Sequence, residues 1–369
     1  MQQNSTAWVS SELLFWHNTQ NWCMYFEPNL LLQPGQHAES AESKRRIRNL
    51  VEASGIDEKM ITIRPEPATR EEAETFHTKE YLDKLKAVSN SGYGDAGELC
   101  PVGKASYEIA LMSAGAAMTA SRQVLCGNVS YAYALTRPPG HHAVADSAKG
   151  FCLLNNGVLA VKDSLRNPEV KKIAVVDWDV HHGNGTEEAF YSNGNVLTIS
   201  VHQDALFPLH TGKLSDRGEG AGFGKNLNIP LPAGSGDGAY RYAFEQVVLP
   251  SLLRFSPDMV FVASGFDASA ADPIGRMMLH SESYRWMTEE LLSVCNDLHA
   301  KGPVFLHEGG YSEQYVPFCC HAVLEVLTCF ERIPDPFVEI FSNYGGQVLK
   351  QHEKEIIDRA KGYVNEISV

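Results

Sequence analysis

Five short apolar runs, none of which alternates with polar residues, limit the possible folds of this chain more than any other pattern. The runs lie at residues 131–135, 173–176, 196–201, 259–263 and 304–306. Continuous apolar strands are typical of a parallel sheet whose two faces are both buried. Stretches with helical periodicity separate the runs, and this alternation predicts one doubly wound α/β domain.

The predicted helices lie between and around these runs. Their ranges are 40–54, 104–126, 155–166, 184–192, 238–255, 281–300 and 313–331, with two short helical segments in 70–88. We expect a long polar loop at 87–103 and a helical or strand-plus-helix extension at 335–369. The chain is therefore predicted to be a single domain over residues 1–369, with its core at about 8–330.

The composition argues against several classes of protein. With 369 residues, 44% of them hydrophobic, the chain can bury a large core. A net charge of −14 disfavours a nucleic-acid partner, although it would tolerate cationic substrates such as lysine side chains or polyamines. None of the eight cysteines forms a C-x-x-C pair, which favours a reducing compartment. We expect a cytoplasmic protein with no membrane partner, because neither a signal peptide nor a long apolar span is recognisable.

Polar motifs follow four of the five apolar runs. They are Arg137-Pro-Pro-Gly-His141-His142, Asp177-Trp-Asp179-Val-His181-His182-Gly-Asn184-Gly, Ser264-Gly-Phe-Asp267 and Glu308-Gly-Gly-Tyr311. In open parallel sheets, ligands bind in the crevice beyond the carboxyl ends of the strands. We therefore expect the four motifs to form one functional site.

The second of these motifs has the composition of a metal site. Asp177, Asp179 and His181 are spaced two apart, which places them on one face of an extended chain. Two carboxylates and an imidazole suit a divalent first-row metal. We assign Asp179 and His181 as ligands and Asp267 as the third, with Asp177 pointing deeper into the sheet. The alternative is a turn cluster that caps the following helix.

The remaining polar residues offer acid–base and electrostatic functions. One of the adjacent histidines His141 and His142 can take a proton from water, and the other can stabilise developing negative charge. Asp177 is placed to fix the tautomer of one of them. Tyr311 can donate a hydrogen bond to a carbonyl oxygen that becomes an oxyanion. A surface histidine pair and a packing tyrosine are the alternatives.

Three apolar residues stand next to these motifs. They are Phe151, Phe207 and Ile274. They can form the walls of a narrow slot for an aliphatic chain, or they can belong to the ordinary core.

Taken together, the motifs resemble the arginase–deacetylase superfamily. The resemblance rests on five ordered motifs: Pro138-Pro-Gly-His-His, Gly150-Phe-Cys, Asp177-Trp-Asp-Val-His-His-Gly-Asn-Gly, Ser264-Gly-Phe-Asp267 and Glu308-Gly-Gly-Tyr311. Within the superfamily the sequence is similar to bacterial histone-deacetylase-like amidohydrolases, which are relatives of the class II histone deacetylases. The similarity spans residues 8–330. It implies the arginase–deacetylase fold, a central parallel sheet of about eight strands with helices on both faces.

The resemblance also implies a role for each polar residue. Asp179, His181 and Asp267 would bind one zinc ion. His141, paired with Asp177, would provide electrostatic stabilisation. His142 would act as general base and then general acid, and Tyr311 would polarise the scissile carbonyl. Asn184 stands where class I relatives carry an aspartate behind the second histidine. A neutral amide raises the basicity of His142 less than a carboxylate would, and this substitution follows the class II pattern.

Further residues are assigned to ions and substrate by the same resemblance. A structural potassium ion is implied at Asp177, Asp179, His181, Ser200 and Val201, and a second at Phe190, Asn193 and Val196. The implied substrate-binding residues are Phe151, Phe207, Ile274, Gly150, Gly309, Gly310 and the rim residue Asp95. Relatives that act on acetylpolyamines tend to carry a glutamate at the position of Ile274, so the aliphatic residue favours a neutral stem.

These assignments predict a zinc-dependent amidohydrolase that removes acetyl or related acyl groups from acyl-lysine-type amides by attack of metal-activated water. An acetylpolyamine or other small-amide deacetylase is the alternative. A ureohydrolase with two manganese ions would need an Asp-x-Asp motif at Asp267, which is absent from the sequence. A non-catalytic acyl-binding module is a further rival. A homodimer or homotetramer is expected by analogy with the bacterial relatives.

Overall fold

A central sheet of eight parallel strands organises the protein. The computed structural model describes residues 5–368. In chain order the strands are β1 (Thr6–Val9), β2 (Met60–Ile63), β3 (Tyr131–Ala134), β4 (Ile173–Asp177), β5 (Val196–Gln203), β6 (Asn226–Leu231), β7 (Met259–Ser264) and β8 (Lys301–His307). The predicted doubly wound parallel sheet is confirmed, and five strands coincide with the five apolar runs. Strands β1, β2 and β6 were not predicted.

The order of strands across the sheet determines where the site forms. The order is β6-β5-β4-β7-β8-β3-β1-β2, and neighbouring strands pair in parallel throughout. The four strands that precede the polar motifs, β4, β7, β8 and β3, are therefore consecutive neighbours. Their carboxyl ends meet at one edge of the sheet, as the ligand-binding crevice of an open α/β sheet requires.

Apolar side chains cover both faces of the sheet. In β4, Ala174 and Val176 belong to one buried cluster, whereas Ile173 and Val175 belong to the cluster on the other side. Successive residues of a strand point to opposite faces, so a strand buried on both sides must be apolar throughout. This explains why the central strands are continuous apolar runs in the sequence.

Helices pack against both faces. They are α1 (Glu42–Ser54), α2 (Arg70–Ala73), α3 (Lys79–Ser91), α4 (Ser106–Leu125), α5 (Asn156–Ser164), α6 (Asn184–Phe190), α7 (Asp237–Ala243), α8 (Leu249–Phe255), α9 (Ser281–Leu298), α10 (Val316–Thr328), α11 (Val338–Ser342) and α12 (Gln351–Val364). The predicted helix at 238–255 is interrupted by a π-turn at Phe244–Val248, which separates α7 from α8. None of the helices in residues 5–368 is long and apolar enough to cross a bilayer.

One predicted region differs in detail from the structure, and one that was left open is defined by it. The expected loop at 87–103 is shorter, because α3 continues to Ser91 and two short strands, Tyr93–Asp95 and Pro101–Gly103, pair beyond it. The C-terminal extension is helical, and Ile357, Ala360 and Val364 of α12 join the main buried cluster. The final residue of the predicted extension, Val369, lies outside the described residues.

Candidate metal and active site

The predicted site residues converge beyond the carboxyl ends of four neighbouring strands. Asp177 is the last residue of β4, and the loop after it carries Asp179 and His181. Asp267 lies three residues after β7, and Tyr311 lies four residues after β8. All five side chains are buried, with between 0% and 9% of their surface exposed. The expectation that separate strands bring these groups to one place is thus fulfilled by the geometry.

Asp179, His181 and Asp267 form a compact group of potential metal ligands. Their donor atoms all lie within 4.8 Å of one another. His181 Nδ1 is 3.1 Å from an oxygen of Asp179 and 3.1 Å from an oxygen of Asp267. Two ligands of a tetrahedral zinc ion, each about 2 Å from the metal, stand roughly 3.3 Å apart. The group therefore has the size and donor types of a zinc site with one open position.

The electrostatics of this group also favour a cation. Burial alone would lower the pKa of His181, but its hydrogen bonds to Asp179 and Asp267 raise that pKa to about 10 in the metal-free protein. Burial and the nearby charge of Asp179 raise the pKa of Asp267 to about 7. Two carboxylates held this close repel one another unless a positive charge lies between them. A divalent ion held by Asp179, His181 and Asp267 would supply that charge and would favour the deprotonated forms of His181 and Asp267.

Backbone groups aim the carboxylates at the metal position. The amide of Gly309 donates to Asp179 Oδ2 (2.7 Å), and the amide of Val180 donates to Asp267 Oδ1 (2.8 Å). A Cβ atom on Gly309 would overlap the carboxylate of Asp267. Glycine is therefore required here by close approach, and the loop after β8 contributes to orienting ligands that belong to β4 and β7.

His141 pairs with the carboxylate of Asp177, as the sequence predicts. The distance from His141 Nδ1 to Asp177 Oδ2 is 3.0 Å. Burial opposes a charge on the imidazole, but the carboxylates of Asp179 and Asp177 outweigh it and raise the pKa of His141 to about 10 in the metal-free protein. The pair can therefore present a positive charge to an oxyanion.

His142 has a different partner and the opposite charge preference. Its Nδ1 is 2.8 Å from Asn184 Oδ1, while the amide group of Asn184 donates to the carbonyl of His142 (3.2 Å). This arrangement puts the proton of His142 on Nδ1 and leaves Nε2 free to accept one. Burial, together with the charges of His141 and His181, lowers the pKa of His142 well below its usual value. Asn184 thus orients the imidazole without adding charge.

A buried carboxylate that the sequence analysis did not assign holds the backbone at the start of the histidine pair. Glu308 accepts hydrogen bonds from the amides of Gly140 (2.6 Å) and His141 (3.1 Å). Glu308, Cys152 and His141 form a second cluster of potential ligands, in which Glu308 Oε2 accepts the two amides and His141 Nδ1 pairs with Asp177. The position of Glu308 at a strand end, in the Glu-Gly-Gly-Tyr motif, is the sequence feature that could have assigned it to the site.

A narrow cavity leads from the surface to the metal position. Its volume is about 160 Å³. Phe151, Phe207 and Ile274, the three predicted wall residues, line it, and His142, His181 and Tyr311 contribute its polar groups. The lining also includes three residues that sequence reasoning missed, Tyr25, Leu99 and Leu206. Tyr25 and Leu99 come from loops that are distant in sequence, and no local pattern places them at the site, whereas Leu206 immediately precedes the predicted Phe207.

The other predicted substrate-binding residues have distinct positions. Gly150 lies in the wall, where a Cβ atom would come within 2.5 Å of the Phe207 ring and 2.6 Å of the His142 ring. Gly310 precedes Tyr311 with a φ of 122°, a backbone conformation that favours glycine. Asp95 is exposed, accepts hydrogen bonds from the amides of Gly97 and Cys100, and is not among the described residues that line the cavity.

The residues predicted to bind potassium lie on β4 and β5, in the loop after β4, and at and beyond the end of α6. Asp177 and Ser200 are register partners across β4 and β5, and Val201 follows Ser200 in β5. Of the second set, Asn193 donates its amide to the carbonyl of Phe190 (2.8 Å), and Val196 begins β5. Both sets remain predictions.

The protein has an eight-stranded parallel sheet, and an apolar channel ends at a group of carboxylates and an imidazole, two further histidines and a tyrosine. These features define a hydrolase of the arginase–deacetylase fold. The chain belongs to the histone deacetylase family, because residues 37–327 match the histone deacetylase domain. It is accordingly an enzyme of the deacetylase and amidohydrolase class.

Relatives and solved structures agree with this assignment. The chain is 45% identical over 327 residues to a histone deacetylase-like amidohydrolase of Pseudomonas aeruginosa, with 88% of this chain and 86% of the relative covered. It is 38% identical to histone deacetylase 8 of Arabidopsis thaliana, with 84% and 83% covered. A crystal structure of the HDA15 HD domain superposes with a TM-score of 0.85 at 31% identity, covering 98% of this chain and 96% of that one.

Proposed function

We propose that the enzyme is a zinc-dependent amidohydrolase that removes acetyl or related acyl groups from acyl-lysine-type amides. The observation that carries the proposal is the narrow channel that ends at the Asp179–His181–Asp267 group. His142 and Tyr311 reach the same end of the channel from two other strand-end loops. An extended aliphatic stem fits such a channel, and its terminal amide meets every polar group at once.

The residues divide the chemistry of hydrolysis between them. Bound zinc supplies Lewis acidity, which polarises the amide carbonyl and makes water nucleophilic near neutral pH. His142 accepts the proton of the attacking water at its free Nε2 and passes it to the leaving amine. The Tyr311 hydroxyl donates a hydrogen bond to the carbonyl oxygen as negative charge develops there. His141 with Asp177 adds positive charge beside it, and the products are acetate and a free amine.

The walls of the channel support a neutral stem. Phe151 and Phe207 flank it with aromatic rings, and the aliphatic Ile274 lies in the lining. A protonated polyamine would have to lose water beside these apolar groups, and the described lining residues include no Asp or Glu to pair with it, which costs free energy. Acyl-lysine side chains, whose stem is a chain of methylenes, meet no such cost. Acetylated polyamines are therefore the comparison substrate in the test.

The test combines metal analysis with activity on defined substrates. Purified protein should hold one zinc per chain, hydrolyse an acetyl-lysine peptide, and lose activity on chelation and regain it with zinc. Asp267→Ala should lose both metal and turnover. The matched control is Asp258→Asn, at the opposite end of the sheet, where the carboxylate accepts backbone amides of Lys171 and Lys172. Full turnover in Asp267→Ala, or two manganese ions per chain, would overturn the proposal, and faster turnover of acetylpolyamines would reassign the substrate.

A further inference from the structure

One buried carboxylate joins two separate loops of the channel. Asp272, on the loop after β7, is 8% exposed. Its Oδ2 accepts a hydrogen bond from the backbone amide of Tyr311 (2.9 Å), which lies on the loop after β8. Its Oδ1 accepts from the amides of Ile274 (2.9 Å) and Gly275 (2.8 Å) on its own loop. A single side chain therefore holds both the tyrosine and a channel wall residue.

The segment that carries Tyr311 needs such an anchor. Residues 308–312 have no regular secondary structure, and Gly309 and Gly310 precede the tyrosine. Gly309 is fixed by its own amide bond to Asp179, and its carbonyl accepts the amide of Phe266 (3.0 Å). The hydrogen bond to Asp272 fixes the backbone two residues further on, at Tyr311 itself. A charged acceptor makes this a stronger bond than a neutral one would be.

We propose that Asp272 is a positioning residue for the reaction: it fixes the backbone of Tyr311 and thereby the place of the hydroxyl that polarises the carbonyl. The inference rests on the role proposed for Tyr311 above. Asp272 itself contacts backbone amides and does not line the channel among the described residues. Its effect on turnover must therefore pass through the backbone that it holds, at Tyr311 or at the wall residue Ile274, and a variant that lacks the Tyr311 hydroxyl separates the two routes.

The consequence is a specific pattern of kinetic change. In Asp272→Asn, one carboxylate oxygen becomes an amide that cannot accept a hydrogen bond. The remaining oxygen of the asparagine should stay on the Oδ1 side, where it accepts two amides. The new NH₂ group then faces the amide of Tyr311, and because both are donors, the backbone of Tyr311 moves away. Small misplacement of a catalytic group costs up to about 10²-fold, so kcat should fall about ten- to a hundredfold. KM should stay within about twofold, because the apolar walls that bind the stem remain.

A double-mutant cycle with Tyr311→Phe tests the inference. Residues that act through one another are non-additive. Asp272→Asn should therefore lower kcat in the wild-type background and change it less than about twofold in the Tyr311→Phe background. Zinc content should equal that of the wild type in each variant. Asp258→Asn serves as the control, because its carboxylate also accepts two backbone amides but lies far from Tyr311. It should change stability and leave kcat unaltered.

The outcomes separate this inference from the proposed function. If Tyr311→Phe is crippled but Asp272→Asn lowers kcat equally in both backgrounds, the positioning role is wrong and the proposed function stands. If Tyr311→Phe retains wild-type turnover, both the role of Tyr311 and that of Asp272 are wrong. If Asp272→Asn does not fold, as judged by circular dichroism, Asp272→Glu goes through the same cycle. It keeps the charge but displaces the oxygens, and the same criteria apply.

Discussion

Two adjacent histidines in the site have opposite charge preferences: burial and the charges of His141 and His181 lower the pKa of His142, whereas the carboxylates of Asp179 and Asp177 outweigh burial and raise the pKa of His141. His141 faces the carboxylate of Asp177, whereas His142 faces the amide oxygen of Asn184. The pKa of His141 is raised to about 10 and that of His142 is lowered, although both are buried. One imidazole can thus stay charged while its neighbour stays neutral and able to accept a proton. Acid–base pairs in enzymes commonly diverge in this way.

The hydroxyl of Tyr311 is the residue-scale feature whose removal should be most informative. Tyr311→Phe keeps the ring that packs against Phe151, with ring centroids 5.7 Å apart, so folding should be preserved. Loss of one donor to an oxyanion lowers turnover about 10²–10³-fold. We expect that loss in kcat on an acetyl-lysine peptide, measured by release of acetate, with an unchanged melting temperature.

A second buried tyrosine provides the control. The hydroxyl of Tyr284 has no hydrogen-bond partner among the described residues, and the side chain is fully buried. Tyr284→Phe should therefore leave kcat unchanged and stability unchanged or slightly higher. Equal turnover in the two variants would show that Tyr311 contributes only packing.

Among the strands, sequence patterns predict the five that are continuous apolar runs and miss the two edge strands, β6 and β2, and the four-residue β1, which is buried along its length. Strands β3, β4, β5, β7 and β8 are continuous apolar runs. Strand β6, at one edge, contains Pro230, and its Asn226 and Asn228 donate to the carboxylate of Glu187 (2.6 and 2.7 Å). Proline and polar residues are tolerated in edge strands, and they conceal the strand from pattern analysis. At the other edge, β2 exposes Ile61 and Thr62.

The site also contains residues that the sequence predicts and residues that it does not. Ligands and acid–base groups could be predicted because they follow strands directly, and parallel strands bring their ends together. The roles of Glu308 and Asp272 could not, because they accept backbone amides from loops that follow other strands. Every residue except proline carries a backbone amide, so the sequence does not show which amides a carboxylate accepts. Only the folded structure identifies these partners. The lining residues Tyr25 and Leu99 were missed for a similar reason.

Two glycines within helices should respond in opposite ways to the same substitution. Gly115 lies in α4, where a Cβ atom would overlap the carbonyl oxygen of Glu66 and approach the amide of Ala68 to 2.7 Å. Gly362 lies exposed in α12 with open space around it. Gly115→Ala should lower the free energy of unfolding by about 1–3 kcal/mol through overpacking. Gly362→Ala should raise it by about 0.5–1 kcal/mol, because alanine loses less backbone entropy in a helix.

Urea unfolding monitored by circular dichroism measures both effects. The two substitutions add the same atoms to a helix, so any difference between them reports the surroundings and not helix propensity. A stabilising Gly115→Ala would mean that α4 can move away from residues 66–68 at little cost. A destabilising Gly362→Ala would mean that α12 packs more closely than the open space around Gly362 indicates.

Across the whole molecule, buried neutral histidines link stability to pH. His17, His37 and His77 are each at most 4% exposed, and burial is the main cause that lowers the pKa of each. The ring of His77 contacts Tyr81, with centroids 5.5 Å apart, and its Nε2 accepts the amide of Asn155 (3.0 Å). Its protonation would break that bond and place a charge in an apolar region.

The direction of the pH dependence follows from the lowered pKa of His77. Burial lowers this pKa to about 4 in the folded protein, from 6.5. As the pH falls below 6.5, the unfolded chain takes up the proton and the folded protein does not, so stability is lost between pH 6.5 and 4. A tenfold change in proton affinity corresponds to about 1.4 kcal/mol, so His77 alone accounts for up to about 3 kcal/mol of that loss. Urea unfolding at pH 7 and pH 4.5 measures it.

His77→Gln isolates this contribution. Glutamine can accept the amide of Asn155 but cannot take up a proton, so the variant should lose less free energy of unfolding than the wild type between the two pH values. His352→Gln, at an exposed position of α12, is the matched control and should keep the wild-type difference. If His77→Gln also keeps that difference, the loss at acid pH originates elsewhere, and His17 and His37 become the histidines to replace next.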